Sequence, residues 1–524
     1  MIEGQPGDEI DVIPAFSDFK CGHENGHVQL ALTRLVADME TPVSAYMKVA
    51  KDQSMSFLLE SVEGGVARGR YSIIGLAPDV VWRAFGDRAE INRDPIRNPN
   101  SFEPSGQPTL QSLRSLLAES KIEQPEDVPP MAAGVFGYMG YDTVRLIEQL
   151  PNERPDALGV PDSLLIRPTI MVIFDAVKDE LAVVTPCRPS QDETAEMAYT
   201  AAQLRLEAVV RALNAPVNET TLSAPSDLVA AEPTSNTSPS EFLAMVDRAK
   251  DYIMAGDVFQ VVLSQRFSTP FPLSPFLLYR ALRRTNPSPF LFFLDFGNFA
   301  LVGSSPEILV RVRNGEVTIR PIAGTARRGE TVSEDNHLAQ MMLADPKERA
   351  EHLMLLDLGR NDVGRVAEIG SVQVTDQFIV ERYSHVMHIV SNVVGALKSS
   401  HDEIDALMAG FPAGTVSGAP KVRAMEIIDE LEKDKRGPYA GCVGYFSSDG
   451  DMDTCIVLRT ALVKDGVMHV QAGAGLVYDS IPESEQQECI NKAKALIRAA
   501  EEAVRFAGGR ARETGRGSNR GAFG

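Results

Sequence analysis

Apolar positions along this chain switch between two periods. Short runs rich in β-branched and aromatic residues, such as Val80-Val81-Trp82 and TIMVIF at 169–174, predict strands. The 195–213 segment carries the 3.6-residue period of a helix. A second helix is announced by Ser238-Pro239-Ser240-Glu241, which supplies a cap, a first-turn proline and a capping-box glutamate. Behind it Phe242, Met245, Val246, Ala249 and Ile253 share one face. Between these helices, 214–238 is rich in Ser, Thr, Pro and Asn and has no period, which predicts a linker. The pattern therefore divides into a loose N-terminus (1–27), a domain at 28–213, the linker at 214–238, a second domain at 239–505 and a Gly/Arg-rich disordered tail at 506–524. Strand and helix runs alternate irregularly, without an internal repeat or a steady βαβ rhythm. An α+β fold is favoured over a doubly wound sheet.

Composition narrows the class. The chain has 524 residues, 44% hydrophobic and 23% charged, which fits two domains or one large two-layer body. A formal net charge of −21 argues against nucleic acid and for a small-molecule or protein partner. Cys21, Cys187, Cys442, Cys455 and Cys489 are scattered with no CxxC pair, as expected of reduced thiols rather than a disulfide framework or a zinc site. The first residues lack a basic and apolar leader, and no apolar run approaches a membrane span of roughly 20 residues. The expected location is cytoplasmic.

The candidate chemistry begins with two matching acidic pairs. Glu485 and Glu488 lie three apart on a predicted helix after Pro482, and Glu348 and Glu351 repeat that spacing after Pro346. Two such faces would suit one Mg²⁺ ion, which prefers oxygen ligands and keeps several waters. Acidic residues also favour helix N-termini, and Glu488 precedes Lys492 by four residues, an ordinary exposed ion pair. Spacing leaves both readings open. Just upstream, Gly473-Ala474-Gly475 reads as an exposed turn whose amides can approach an anion.

Two motifs are decoys. Gly414 to Lys421 lacks the phosphate-loop spacing and carries Pro420, although an anion can still sit at the start of the helix that follows. Gly441-Cys442-Val443-Gly444 approximates an amidotransferase elbow, but one glycine is a position too close, so Cys442 reads as a buried small residue. His385 and His388 sit among apolar residues, where a satisfied core histidine and a proton-transfer role are both open.

Six ordered segments carry a resemblance: PIAGTARRG (321–329), EHLMLLDLGRND (351–362), VMHIVS (386–391), FPAGTVSGAPK (411–421), GPYAGCVGY (437–445) and QAGAGLVYDSIPESEQQE (471–488). Together they resemble the chorismate-utilising enzymes, and within them the large subunits, component I, of anthranilate synthases. SFLLESVEGGVARGRYSIIGL (56–76) and GVFGYMGYD (134–142) are similar to the N-terminal domain of those subunits. The resemblance implies a large two-layer sheet body flanked by helices, with an N-terminal regulatory domain packed against it. It implies a lyase that adds ammonia to chorismate and eliminates pyruvate, giving anthranilate for tryptophan synthesis.

Carried over by position, the resemblance makes Glu348, Glu351, Glu485 and Glu488 the Mg²⁺ face. Glu307 becomes the acid for the departing hydroxyl, which requires a raised pKa. His388, not His385, becomes the residue of the pyruvate elimination. Arg459 and Tyr439 would hold the enolpyruvyl carboxylate, while Gly324, Thr325, Thr415, Gly473, Ala474, Gly475 and Lys492 complete the anion-binding walls. Gln260 stands where water-adding relatives carry a lysine, and Ala323 where aminodeoxychorismate synthases carry one. Ammonia then has to come from a separate glutamine amidotransferase subunit, component II. The N-terminal match implies feedback inhibition by tryptophan at Ser61, Pro289, Phe290 and Leu291, with Phe290 in place of the usual tyrosine.

Overall fold

The computed structural model describes residues 10–50, 53–63, 67–125, 128–129, 131–189, 193–217, 232–383 and 386–517. Most of the predicted linker, and His385, lie outside the described residues.

Most elements form where their patterns place them. The N-terminus expected to be loose instead carries a helix, Phe16–Glu24, because its Phe19 is fully buried against Tyr199 of the helix at 195–214. Val80 to Trp82 belong to the strand Ala67–Phe85, and 169–174 to the strand Ser163–Asp175. The two helices are Ala195–Asn214 and Pro239–Ala255. Ser238 caps the second through the expected reciprocal box, its own N–H donating to Glu241 at 2.8 Å. Phe242, Met245, Val246 and Ala249 are its buried face.

All 22 strands among the described residues join one hydrogen-bonded network, and its recorded ladders are antiparallel. That is an α+β fold. The ladders cross the linker: Ser56–Glu63 pairs with Phe290–Asp295, and Gly134–Met139 pairs with Cys442–Ser447. The core crosses it too, with Phe57 stacked on Phe136 at 4.7 Å and Phe136 against Tyr445 at 5.4 Å. The stretch at 214–238 thus divides the sequence without dividing the hydrogen bonding. Gly137 explains part of the 134–142 motif: at φ +156 its missing Cβ leaves room for the Leu164 carbonyl, which a side chain would meet at 2.1 Å.

The helix Pro482–Gly517 runs past residue 505, where composition predicts a disordered tail. Its buried face, Ala493, Leu496, Ala499, Ala500, Ala503 and Ala507, continues the helical period across that point. Among the described residues no helix is long and apolar enough to cross a membrane, and all five cysteines are free.

Candidate active site

Four strands and two helix N-termini frame the site. Ile322–Arg327 pairs with Val386–Ala396, with one extra residue between Ala323↔Ile389 and Thr325↔His388. That residue is Gly324, at φ +69, so the bulge uses the one residue type that adopts this conformation freely. The bulge turns its carbonyl onto His388, which donates through Nδ1 at 2.8 Å; the Thr325 hydroxyl lies 3.2 Å from the same nitrogen. The bond to a carbonyl assigns the proton to Nδ1 and leaves Nε2 as an acceptor. Burial, aided by Arg459, lowers the His388 pKa against the opposing pull of Gly324, so the imidazole is neutral at pH 7.

Glu307 and Arg459 come from adjoining strand ends. The Ile456 N–H donates to the Glu307 carbonyl at 3.0 Å and the Ser304 N–H to the Arg459 carbonyl at 3.2 Å. Burial pushes the Glu307 carboxyl up to about 8; the nearby Thr415 hydroxyl pulls the other way without reaching hydrogen-bonding geometry. Both line a pocket of about 30 Å³ with Pro321, Leu355 and Gly414. Arg459 takes a left-handed backbone, φ +46, which is uncommon outside glycine. Among the described residues its guanidinium has no partner, and burial lowers its pKa. A half-buried, unpaired arginine is prepared for an anion.

The four glutamates converge from two helices. Pro346–Val366 starts at Asp345, whose side chain accepts from the Lys347 and Glu348 amides, and its Lys347 reaches Asp479 beside the other helix at 3.8 Å. Burial raises the pKa of Glu348, Glu351 and Glu485; Glu351 adds to the first, and Glu488 to the other two. Glu348 reaches the bulge, its Oε2 3.0 Å from where a Gly324 Cβ would stand. Glu488 pairs with Lys492 at 2.7 Å. Among the described residues no three acidic, histidine or cysteine side chains close into a metal cage. The donor set is nonetheless all carboxylate, gathered against mutual repulsion, and suits a hard cation completed by water and ligand oxygens.

Gly473, Ala474 and Gly475 correct the sequence reading. They lie within the strand Val467–Leu476, opposite Ser264, Leu263 and Val262, and not in an exposed turn. Lys492 donates to the Gly473 carbonyl at 2.9 Å, while the Ser264 N–H turns away to Glu432 and the Val262 N–H to Ser417. A strand residue points its N–H and C=O to the same edge. Gly473 and Gly475 therefore present amides to the open edge, and Ala474 spends its own in the ladder. Strand geometry makes two amides available where the turn reading had three. The Tyr439 hydroxyl would lie 2.8 Å from a Cβ on Gly473, and the Gln260 Nε2 2.8 Å from one on Gly475. Gln260 is buried with its Oε1 unpartnered among the described residues.

One element of this floor was not foreseen. Arg436, 2% exposed, pairs with Glu432 and donates to the Val416 carbonyl at 2.7 Å and the Val262 carbonyl at 2.8 Å. Its guanidinium packs on the Tyr439 ring at 5.6 Å. The only sequence signal is the i,i+4 spacing of Glu432 and Arg436, which reads equally well as a surface pair.

Away from this cleft, Ser61, Pro289, Phe290 and Leu291 line a cavity of about 860 Å³. They meet because Ser61 is the register partner of Phe290. Arg320, Glu381 and Tyr383 line it as well. Arg320 pairs with Glu381, which accepts from the Tyr383 hydroxyl at 2.8 Å, and the Tyr383 ring lies 5.6 Å from the His388 ring. The decoys stay decoys: Cys442 is buried, with its thiol pushed up to about 12, and Lys421 is held by Asp362 at 2.9 Å.

A family model described as chorismate binding enzyme matches residues 69–498. An anthranilate synthase component 1 of Cereibacter sphaeroides is 54% identical over 494 residues, covering 94% of this chain and 98% of that one. The component 1 of Thermus thermophilus is 47% identical over 475 residues, with 89% and 96% covered. The crystal structure of anthranilate synthase component I from Streptococcus pneumoniae superposes with a TM-score of 0.72 at 39% identity, over 88% of this chain and 98% of that one. A menaquinone-specific isochorismate synthase from Escherichia coli, 19% identical over 93% of this chain and 99% of that one, shares the fold at a TM-score of 0.68.

Proposed function

The chain belongs to the chorismate-binding enzymes, and we propose that within them it is the lyase subunit that converts chorismate and ammonia to anthranilate and pyruvate for tryptophan synthesis. The observation that carries this reading is the opposed tuning of two groups on either side of Tyr383, which feels the Glu307 charge and lies 5.6 Å from the His388 ring. Glu307 is held protonated near neutrality and His388 is held neutral with Nε2 open. An acid and a base set apart in this way serve two successive proton transfers.

Glu307 donates its proton to the departing ring hydroxyl as ammonia adds. His388 Nε2 then handles the proton of the elimination that releases pyruvate. Arg459 and Tyr439 hold the enolpyruvyl carboxylate, and the amides of Gly473 and Gly475, with Thr325 and Lys492, hold the remaining anionic groups. Glu348, Glu351, Glu485 and Glu488 would hold Mg²⁺. Bound there, such a cation would supply Lewis-acid chemistry, drawing electron density from a carboxylate of the substrate and favouring nucleophilic addition. Gln260 and Ala323 leave the site without a lysine to attack the ring or activate water, which supports ammonia delivered by a glutaminase subunit, component II. Tryptophan would fill the cavity at Ser61 and Phe290 as the feedback inhibitor, against Tyr383, whose ring also faces His388.

The test is His388→Met. Amination should continue while elimination stalls, so that an aminated enolpyruvyl intermediate accumulates with little pyruvate. If chorismate consumption and pyruvate release fall together and no intermediate is detected, the assigned role is wrong.

A further inference from the structure

His352 lies next to Glu351 and one helical turn beyond Glu348, yet takes no part in the chemistry above. It is fully buried, and its Nε2 meets the Ser391 hydroxyl, also fully buried, at 2.6 Å. Its Nδ1 has no partner among the described residues. Ser391 is a junction. Its hydroxyl accepts from the Phe378 N–H at 3.1 Å, and its own N–H donates to the Pro321 carbonyl at 3.2 Å, immediately before the strand that carries Gly324. Phe378 has φ +54, an outlier for a bulky residue, at an irregularity in the pairing of Gln373–Arg382 with Val386–Ala396. Its ring sits edge-on to His352 at 4.8 Å, with the Arg349 guanidinium 4.9 Å above it. A left-handed phenylalanine persists only where its surroundings over-determine it, and such strain collects at functional sites.

This knot ties the helix of Glu348 and Glu351 to the strand of His388 and to the bulge strand. It does so where like charges from two helices push apart. We propose that His352 and Ser391 are positioning residues. Their buried bond, braced by Phe378, fixes the height of Glu348 and Glu351 over Gly324 and so prepares the carboxylates for the cation.

The inference rests on the Mg²⁺ reading, and its test separates the two. Mn²⁺ binding to the full chain is followed by the electron paramagnetic resonance signal of the free ion, alongside thermal melting. Ser391→Ala and His352→Leu should each weaken Mn²⁺ binding roughly tenfold, as removal of a support around metal ligands commonly does. His352→Gln, which keeps a nitrogen donor near the Nε2 position, should recover most of the affinity. Wild-type affinity in Ser391→Ala, or equal losses in His352→Gln and His352→Leu, would overturn the positioning role. Absence of Mn²⁺ binding by the wild-type chain would instead overturn the metal reading, and the inference with it. Should His352→Leu fail to fold, the smaller Ser391→Ala change decides.

Discussion

At the residue scale, the central feature is a carboxyl kept neutral by burial. Glu307 has a folded pKa of about 8 against an ordinary 4.5, so its contribution to stability is complete below about 4.5 and is lost as pH rises through 8. Glu307→Gln cannot donate a proton and should lower turnover by at least roughly 100-fold, the usual scale for general acid catalysis. The same change should raise the melting temperature relative to wild type at pH 9 and leave it nearly unchanged at pH 4. Equal pH dependence of melting in the two proteins would refute the buried-acid assignment. Because free ammonia increases with pH while protonated Glu307 declines, ammonia-dependent turnover should be bell-shaped with its alkaline limb near pH 8. The motif match gives a position such as Glu307, but a sequence carries no burial, so the raised pKa is visible only in the fold. The support under Tyr439 was not legible, because Glu432 and Arg436 look like any solvated i,i+4 pair until both are enclosed.

At the element scale, helix starts were legible because capping is local. Ser238 with Glu241, Pro346 and Pro482 all mark observed starts. The Gly-Ala-Gly segment was misread because glycines signal both turns and close strand approach; here Tyr439 and Gln260 occupy the space that side chains at Gly473 and Gly475 would need. The element whose distortion matters most for chemistry is the bulge at Gly324. Gly324→Ala forces a Cβ into a left-handed position 3.0 Å from Glu348 and 3.2 Å from Ile389. It should cost about 1 kcal/mol of stability. The turnover loss should be disproportionate, on the order of 100-fold, because the carbonyl that orients His388 moves with the bulge. Steady-state kinetics beside thermal melting checks this; proportionate small losses in both would mean the bulge does not set the histidine.

At the scale of the whole molecule, one antiparallel network carries both the cleft and the cavity. Sequence patterns give the face of a strand but not its partner, so the pairing of Ser61 with Phe290 across the linker is not legible there, although the motifs contain both residues. That pairing builds the cavity, and Tyr383 lies between it and His388. The proposed inhibition by tryptophan would require the cavity's occupied state to bind chorismate less well. Ser61→Leu, which puts a branched apolar side chain into one wall of the cavity and removes the Ser61 bond to the Tyr71 carbonyl, should raise the tryptophan concentration for half-inhibition at least roughly tenfold, a coupling loss within the usual range, with uninhibited turnover nearly unchanged. Unaltered inhibition would place the inhibitor elsewhere. The most direct measurement is anthranilate fluorescence and pyruvate release from the purified chain given chorismate, Mg²⁺ and ammonium salt at mildly alkaline pH. The expected result is anthranilate and pyruvate in equal amounts, abolished by chelation of the metal. Chorismate consumed without either product, or not consumed at all, would contradict it.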